Sequence, residues 1–94
     1  MNTKSGALLS VRAMGYTDEE LSYIFDKTRG HCWHCGKQLA WKNYGTIGKR
    51  GAWEVDHSRP LARGGTHYLR NLVPACIECN RSKSDLTSQE FEGC

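Results

Sequence analysis

Two pairs of cysteines carry the strongest chemical signal in this 94-residue sequence. Cys32 and Cys35 form one Cys-x-x-Cys pair, and Cys76 and Cys79 form a second pair after 40 intervening residues. Each pair can supply two thiolates from a single turn of the backbone, and two pairs complete a closed tetrahedral Zn²⁺ site. A single pair would be a weak signal, because thioredoxin-type redox motifs share it. The spacing therefore predicts a structural zinc site with four cysteine ligands.

The fifth cysteine and the neighbouring histidines are not needed to complete this site. Cys94 is expected to carry a free and dispensable thiol. His31 and His34 flank the first cysteine pair. Because four cysteines already fill a tetrahedral site, we expect both histidines to be surface or phosphate-contacting groups and not ligands. The role of His67 stays open.

A second group of polar residues lies close to the cysteines in the sequence. Asp56 and His57 are adjacent, Asn71 follows 14 residues after His57, and Asn80 comes directly after Cys79. Taken singly, each has an ordinary explanation, since Asp and Asn are common at strand ends and caps. A surface histidine likewise needs no function. The pattern becomes informative when the four residues are taken together with the cysteine pairs.

One helix is expected before the first cysteine pair. Thr17 and Glu20 form a capping box, in which each side chain can bind a backbone amide of the other residue. Apolar residues then follow at helical spacing, and Gly30 can end the helix. The sequence therefore predicts a helix over residues 18–29, whose apolar face packs on the metal-bound part of the chain.

Two short strands are expected after this helix, and they position the polar residues Asp56, His57 and Asn71. The segment from Trp53 to Asp56 alternates apolar and polar residues, which predicts a half-buried strand. Alternation on a strand points Asp56 and His57 to opposite sides, so the two side chains can face the same group only if a turn at the strand end redirects one of them. Residues 72–73 predict a second short strand that Pro74 stops.

Weaker signals follow the second cysteine pair. The segment from Cys79 to Ser84 is polar, and its helical signal is weak. Thr87 and Glu90 repeat the capping-box pattern, which favours a last helical turn. The segments 41–52 and 58–70 are rich in glycine and basic residues and are expected to be loops.

The small number of large apolar side chains also favours a metal-stabilised fold. Leu, Ile, Val and Phe together make up 16 of the 94 residues, which is few for a self-supporting core. Three Trp, four Tyr and a net charge of only +3 argue against a disordered chain. We therefore expect one domain over residues 1–94, with a flexible segment over residues 1–16. Zinc would supply the stability that the core lacks.

The positive charge is concentrated in the cysteine-rich middle of the chain. Residues 27–83 carry a net charge of +8, whereas residues 1–26 carry −2 and residues 84–94 carry −3. Such a basic block attracts polyanions, and nucleic acid is the commonest polyanion in the cytoplasm. The sequence has no apolar stretch long enough for a membrane span and no apolar signal segment, so a cytoplasmic protein without membrane contact is expected.

These features together resemble the HNH endonucleases of the ββα-metal class, in the branch with four zinc-binding cysteines. The resemblance covers residues 17–86, and its specificity comes from the combined spacing of several short motifs. Those motifs are Cys32 and Cys35, the segment from Trp53 to His57, Pro60-Leu61, Gly64-Gly65, the segment from Asn71 to Cys76, and Cys79-Asn80 followed by Lys83. The third motif letter is Asn80 instead of histidine, a variation that occurs within the family. The implied fold is small α+β, with a ββα-metal motif stapled by the four-cysteine zinc site and an N-terminal helix packed on it.

The resemblance also implies an activity, the divalent-metal-dependent hydrolysis of phosphodiester bonds in DNA to 5′-phosphate and 3′-hydroxyl ends. By resemblance, His57 is the general base that deprotonates the attacking water. Asp56 and Asn80 look like the protein ligands of one catalytic Mg²⁺ or Mn²⁺, since these cations prefer oxygen ligands. Asn71 is similar to the family's middle asparagine, which would tie the loop together so that a carbonyl holds the His57 ring in one tautomer.

Basic residues near these positions are candidates for contact with the DNA backbone. Lys83 matches the family pattern, and we expect it to contact phosphate. The same contact is expected for Arg81, Arg63 and Arg59, with solubility as the ordinary alternative explanation.

Two other functions would explain part of the sequence. A non-catalytic, zinc-stapled nucleic-acid-binding module accounts for the basic block and the cysteines, but it has no need of Asp56, His57, Asn71 and Asn80 at the family spacing. A protein-interaction zinc domain is disfavoured by the positive charge. Double-stranded DNA is the expected partner, although RNA stays open. One active site cuts one strand, so a monomer would nick, while a double-strand break needs a homodimer or two visits.

Overall fold

Two short strands and two helices frame the described part of the chain. The structure is a computed structural model, and it describes residues 15–93. Helix α1 spans Asp18–Asp26, strand β1 spans Trp53–His57, strand β2 spans Leu72–Cys76 and helix α2 spans Ile77–Lys83. Single 3-10 turns lie at Trp41–Asn43, Leu61–Arg63 and Leu69–Asn71. This architecture is the small α+β fold that the sequence predicts, in the order strand, strand, helix after the first cysteine pair.

Two of the expectations for the chain ends concern residues outside the described range. They are the flexibility expected of residues 1–14 and the free thiol expected at Cys94. Tyr16, at the end of that segment, is partly buried and packs against the core. No helix among residues 15–93 is long and apolar enough to cross a membrane.

Helix α1 begins as the sequence predicts and ends earlier. The Thr17 amide donates to Glu20 Oε1 at 2.9 Å, and the Glu20 amide donates to Thr17 Oγ1 at 3.1 Å, so the capping box is confirmed. The helix ends at Asp26 instead of residue 29. Arg29 and Gly30 adopt φ angles of +54° and +80°, which turn the chain out of the helix. A side chain on Gly30 would also meet the ring of Phe25 at 2.9 Å.

The two strands pair in antiparallel register. Trp53 lies opposite Cys76, and His57 lies opposite Leu72. The prediction that Pro74 stops the second strand is wrong, because β2 continues through Pro74 to Cys76. The Pro74 carbonyl accepts a bond from the Trp33 amide at 2.9 Å, which shows that this edge of the residue faces away from β1. Proline therefore costs the sheet no hydrogen bond at this position.

Helix α2 forms where the helical signal in the sequence is weak. Cys76 is its N-cap, and Cys76 Sγ accepts a hydrogen bond from the Cys79 amide. The second capping box also forms, because the Thr87 amide bonds to Glu90 Oε1 and the Glu90 amide bonds to Thr87 Oγ1. It encloses one hydrogen-bonded turn and no longer helix.

The core is small and centres on a fully buried tryptophan. Trp53 has no exposed surface, and its ring centroid lies 5.1 Å from that of Phe25 and 4.9 Å from that of Tyr44. Leu21 of α1 belongs to the same buried cluster as three of the paired cysteines, so the expected packing of the helix on this part of the chain is confirmed. Lys27 adds a polar anchor, because its ammonium donates to the Leu69 and Leu72 carbonyls at 2.6 and 2.7 Å.

Candidate active site

The four paired cysteines converge on one point. Cys32 and Cys35 come from the turn after α1, while Cys76 ends β2 and Cys79 lies in the first turn of α2. Their Sγ atoms all lie within 4.8 Å of one another, and the Sγ atoms of Cys35 and Cys76 are 3.9 Å apart. Tetrahedral coordination with Zn–S bonds of about 2.3 Å separates sulfur atoms by roughly 3.8 Å. The residues therefore fit a structural zinc ion, as the sequence predicts.

The surroundings of these sulfurs are suited to thiolates held by a cation. The His34 amide donates to Cys32 Sγ and the Cys79 amide donates to Cys76 Sγ, each at 3.4 Å. Burial raises the pKa of Cys76 to about 12, and charge on Cys32 and Cys35 raises it as well. The Cys76 thiol is therefore difficult to ionise by itself, and a bound dication removes this difficulty because metal binding displaces thiol protons.

Asp56 lies beside the cysteine cluster as a buried carboxylate with two partners. His34 Nε2 lies 2.8 Å from Asp56 Oδ2, and Lys83 Nζ lies 3.4 Å from Asp56 Oδ1. The side chain of His34 is only 2% exposed, so the expectation that His34 is a surface group is wrong. Asp56 is only 7% exposed, and a buried carboxylate requires polar partners. The turn between Cys32 and Cys35 directs His34 inward, where it supplies one of these partners.

Lys83 is buried, so the expectation that it contacts phosphate is wrong. Its side chain has 0% exposure, and Nζ donates to the His57 carbonyl at 2.8 Å besides approaching Asp56. The sequence contains a signal for this position, because Lys83 lies four residues after buried Cys79 on the same face of α2. Arg81 lies on another face and is exposed.

His57 ends β1 with a partly exposed ring. The strand continues through His57, so the turn expected between Asp56 and His57 does not occur, and the two side chains bind different partners. His57 Nε2 lies 3.2 Å from Nδ1 of His67. Burial lowers the pKa of His57; His67 and Lys83 lower it further, while Asp56 acts in the opposite direction. The ring is therefore neutral, and able to accept a proton, at lower pH than an ordinary histidine.

Asn71 closes the loop that follows β1. Its Oδ1 accepts a bond from the Arg59 amide at 2.9 Å, and its Nδ2 donates to the carbonyls of Arg59 and Thr66 at 3.0 and 2.8 Å. Gly65 is required in the same loop, because an added Cβ would lie 1.8 Å from the Arg59 carbonyl oxygen. The amide of Asn71 thus joins the two ends of a loop that leaves β1 and returns toward β2.

Asn80 is oriented by a carboxylate that sequence reasoning did not single out. Asn80 Nδ2 donates to Glu54 Oε1 at 2.7 Å. Glu54 and Asp56 are two residues apart on β1 and therefore project from the same face, a periodicity that would have identified Glu54. The bond commits Nδ2 to Glu54, so Oδ1 is the Asn80 atom suited to a cation. The oxygens of Asp56 keep further lone pairs beside their bonds to His34 and Lys83, and carboxylate and amide oxygens are ligands of the kind that Mg²⁺ or Mn²⁺ prefers.

The expected DNA-contacting arginines differ in their surroundings. Arg63 donates through Nη1 and Nη2 to the two carboxylate oxygens of Glu90 at 2.8 and 3.0 Å, so its guanidinium is held in a surface ion pair, and its contact with phosphate stays a prediction. Hydrogen bonds from Arg63 and from the Thr87 amide lower the pKa of Glu90 to about 2. Arg59 and Arg81 are exposed.

Comparison with protein families identifies the segment that carries this site. A family model described as HNH endonuclease matches residues 32–86, which is more than half of the chain. The match includes both cysteine pairs and all the polar residues of the site described above. The comparison with curated proteins found no match.

Removal of the metal should unfold the protein, because binding of a structural zinc ion contributes directly to the free energy of folding. Treatment with EDTA is expected to abolish the helical far-UV circular dichroism and to expose buried Trp53 in the fluorescence spectrum. Added Zn²⁺ should restore both signals. A circular dichroism spectrum that stays unchanged once atomic absorption shows the metal to be gone would contradict a structural role.

Lys83→Met should strongly destabilise the protein, because it removes the lysine that pairs with the buried Asp56 carboxylate. Breaking a buried ion pair in this way costs about 3–5 kcal/mol. We expect the urea midpoint of the zinc-loaded protein to fall accordingly. Lys37→Met is the matched control, since Lys37 pairs with Glu78 on the surface and its loss should leave the midpoint unchanged. Equal midpoints for the two variants would show that Lys83 is not a structural partner of Asp56.

Proposed function

Because the chain belongs to the HNH endonuclease family, we propose that it is a divalent-metal-dependent endonuclease that cleaves double-stranded DNA. The products would be 5′-phosphate and 3′-hydroxyl ends. The observation that supports the proposal most is the arrangement at the end of β1. There a partly exposed imidazole with a lowered pKa, His57, follows a buried carboxylate, Asp56, whose two oxygens are both bonded. A purely structural zinc domain has no need of this combination.

His57 is the general base of the proposed reaction. It accepts a proton from the water that attacks the phosphorus atom, and its lowered pKa keeps the ring in the accepting form near neutral pH. Lys83 Nζ donates to the His57 carbonyl oxygen, so this bond fixes the position of the His57 backbone, which carries the ring, at the end of β1. The base is therefore positioned before the substrate arrives.

Asp56 and Asn80 are the proposed protein ligands of the catalytic cation. His34 and Lys83 hold the carboxylate of Asp56, and Glu54 holds the amide of Asn80, so neither ligand must be ordered when the cation binds. A divalent cation at this position supplies stabilisation of the negative charge on the phosphate and on the departing 3′ oxygen. A phosphate at the end of β1 would lie between the cation held by Asp56 on one side and the His57 ring on the other, so the proposal requires no turn between these two residues.

The zinc site positions this chemistry without taking part in it. Cys79 directly precedes Asn80 on α2, and Cys32 and Cys35 enclose the turn that carries His34. Fixing the four cysteines on one ion therefore fixes the residues that hold Asp56 and the cation. This closed site with four protein ligands leaves no open position for substrate.

Exposed arginines are the proposed contacts with the DNA backbone. Arg81 on α2 and Arg59 in the loop after β1 are both exposed and both adjoin the site residues in the sequence. Contacts of this kind position the duplex without reading its sequence. A monomer with one such site would nick one strand.

His57→Ala should abolish nicking, because removal of the general base costs about 10²–10⁴-fold in rate. The measurement is conversion of supercoiled plasmid to open circles with Mg²⁺ or Mn²⁺, with zinc content and DNA affinity determined in parallel. His31→Ala is the matched control, since His31 is exposed and bonds only within its own turn in the described structure. Nicking by His57→Ala at the wild-type rate would contradict the assignment of the base. DNA binding without any cleavage by wild type would favour the non-catalytic binding module.

The pH dependence of nicking follows from the sign of the His57 shift. The base form is the neutral ring, so the rate should rise with pH and then level off. Because the pKa of His57 is lowered by burial and by His67, the midpoint of this rise is expected below the ordinary histidine value of 6.5. A cation bound at Asp56 acts in the same direction, since it opposes a second positive charge nearby. A midpoint above 6.5 in single-turnover rates would contradict this assignment.

A further inference from the structure

The ring of His57 contacts the ring of a second histidine, His67, which has no role in the proposed reaction as described above. His57 Nε2 lies 3.2 Å from His67 Nδ1, and the ring centroids are 5.1 Å apart at an interplanar angle of 76°. This is hydrogen-bond distance between two atoms that cannot both be donors or both be acceptors in the neutral pair. The contact therefore couples the tautomers of the two rings and leaves two proton arrangements for the neutral pair.

One of the two proton arrangements leaves His57 able to act as a base. If His67 Nδ1 donated its proton to His57 Nε2, the proton of neutral His57 would lie on Nδ1, and no basic nitrogen would be left for water. If His57 Nε2 donates to His67 Nδ1, then His57 Nδ1 carries the lone pair and can accept a proton. The second arrangement requires neutral His67 to keep its own proton on Nε2, which the exposed position of this residue allows.

His67 is held in place by the loop hydrogen bonds of Asn71. Asn71 Nδ2 donates to the carbonyl of Thr66, the residue before His67, at 2.8 Å. The Tyr68 amide, on the other side of His67, donates to Thr66 Oγ1 at 3.3 Å. Thr66 and Tyr68, which flank His67, are thus bonded to each other, and Thr66 is bonded to Asn71 directly before β2.

We propose that His67 is a positioning residue that fixes the orientation and tautomer of His57, and that Asn71 acts on the base through His67. The His57 ring is then held by a side chain of the loop instead of the backbone carbonyl that the family resemblance implies. The inference rests on the proposed function, because it assigns a role to His67 in preparing the base. Its consequences for the tautomer can nevertheless be measured without any cleavage.

The first test reads the tautomer by long-range ¹H–¹⁵N correlation on the zinc-loaded, ¹⁵N-labelled full chain at a pH where both rings are neutral. Wild type is expected to show His57 with its proton on Nε2. His67→Ala should lose this preference and show a mixture of tautomers, while His67→Asn should retain it because its amide oxygen can accept the same bond. Tyr68→Ala is the control on the same loop, and its ring contacts Arg70, so the tautomer should stay as in wild type.

The second test uses nicking of supercoiled plasmid in single-turnover experiments. His67→Ala should lower the rate constant by about 10- to 100-fold with little change in DNA affinity, because a misoriented base loses alignment and not binding. His67→Asn should recover most of the rate. A His57 proton on Nδ1 in wild type, or a tautomer and rate that His67→Ala leaves unchanged, would overturn the inference. If wild type cleaves nothing, the endonuclease proposal fails while the tautomer measurement still decides the contact of His57 with His67.

Discussion

A carboxylate removed from solvent is the constraint on which the site depends. Asp56 is buried, and an unpaired charge in that position would cost several kcal/mol of desolvation energy. Its partners come from opposite ends of the motif, His34 from the turn after α1 and Lys83 from the end of α2. The bonds therefore hold two separate segments, the turn after α1 and the end of α2, against β1. A chain with few apolar residues uses this polar network where a larger domain would use more core.

The zinc site and the Asp56 network reinforce each other because they share the same backbone. His34 lies between Cys32 and Cys35, and Lys83 lies one helical turn after Cys79. Any movement of the cysteines would move both partners of Asp56. The Lys83 ammonium also bonds to the His57 carbonyl, so the same network reaches the residue that the family resemblance assigns as the base.

The basic charge of the chain is divided between internal and external roles. The middle of the sequence is strongly basic, yet Lys83 is fully buried and Lys27 is directed at backbone carbonyls. Arg63 is paired with Glu90 from the acidic end of the chain. The surface of the chain is therefore less positive than the composition suggests, and the exposed arginines carry more of its positive potential. Charge counted along a sequence does not distinguish these roles.

The sequence by itself determined the elements whose signals are local: the capping box at Thr17, the strand that begins at Trp53, and the two cysteine pairs with metal-ligand spacing. It did not determine the partners of the polar residues, because those bonds join different segments of the chain, and two of them, His34–Asp56 and Lys83–Asp56, join residues 22 and 27 positions apart. The continuation of β2 through Pro74 likewise depended on which edge of the strand faces Trp33. Only the tertiary structure decided that Lys83 turns inward and that His67 meets His57, since burial and contact arise from packing between segments and not from residue type.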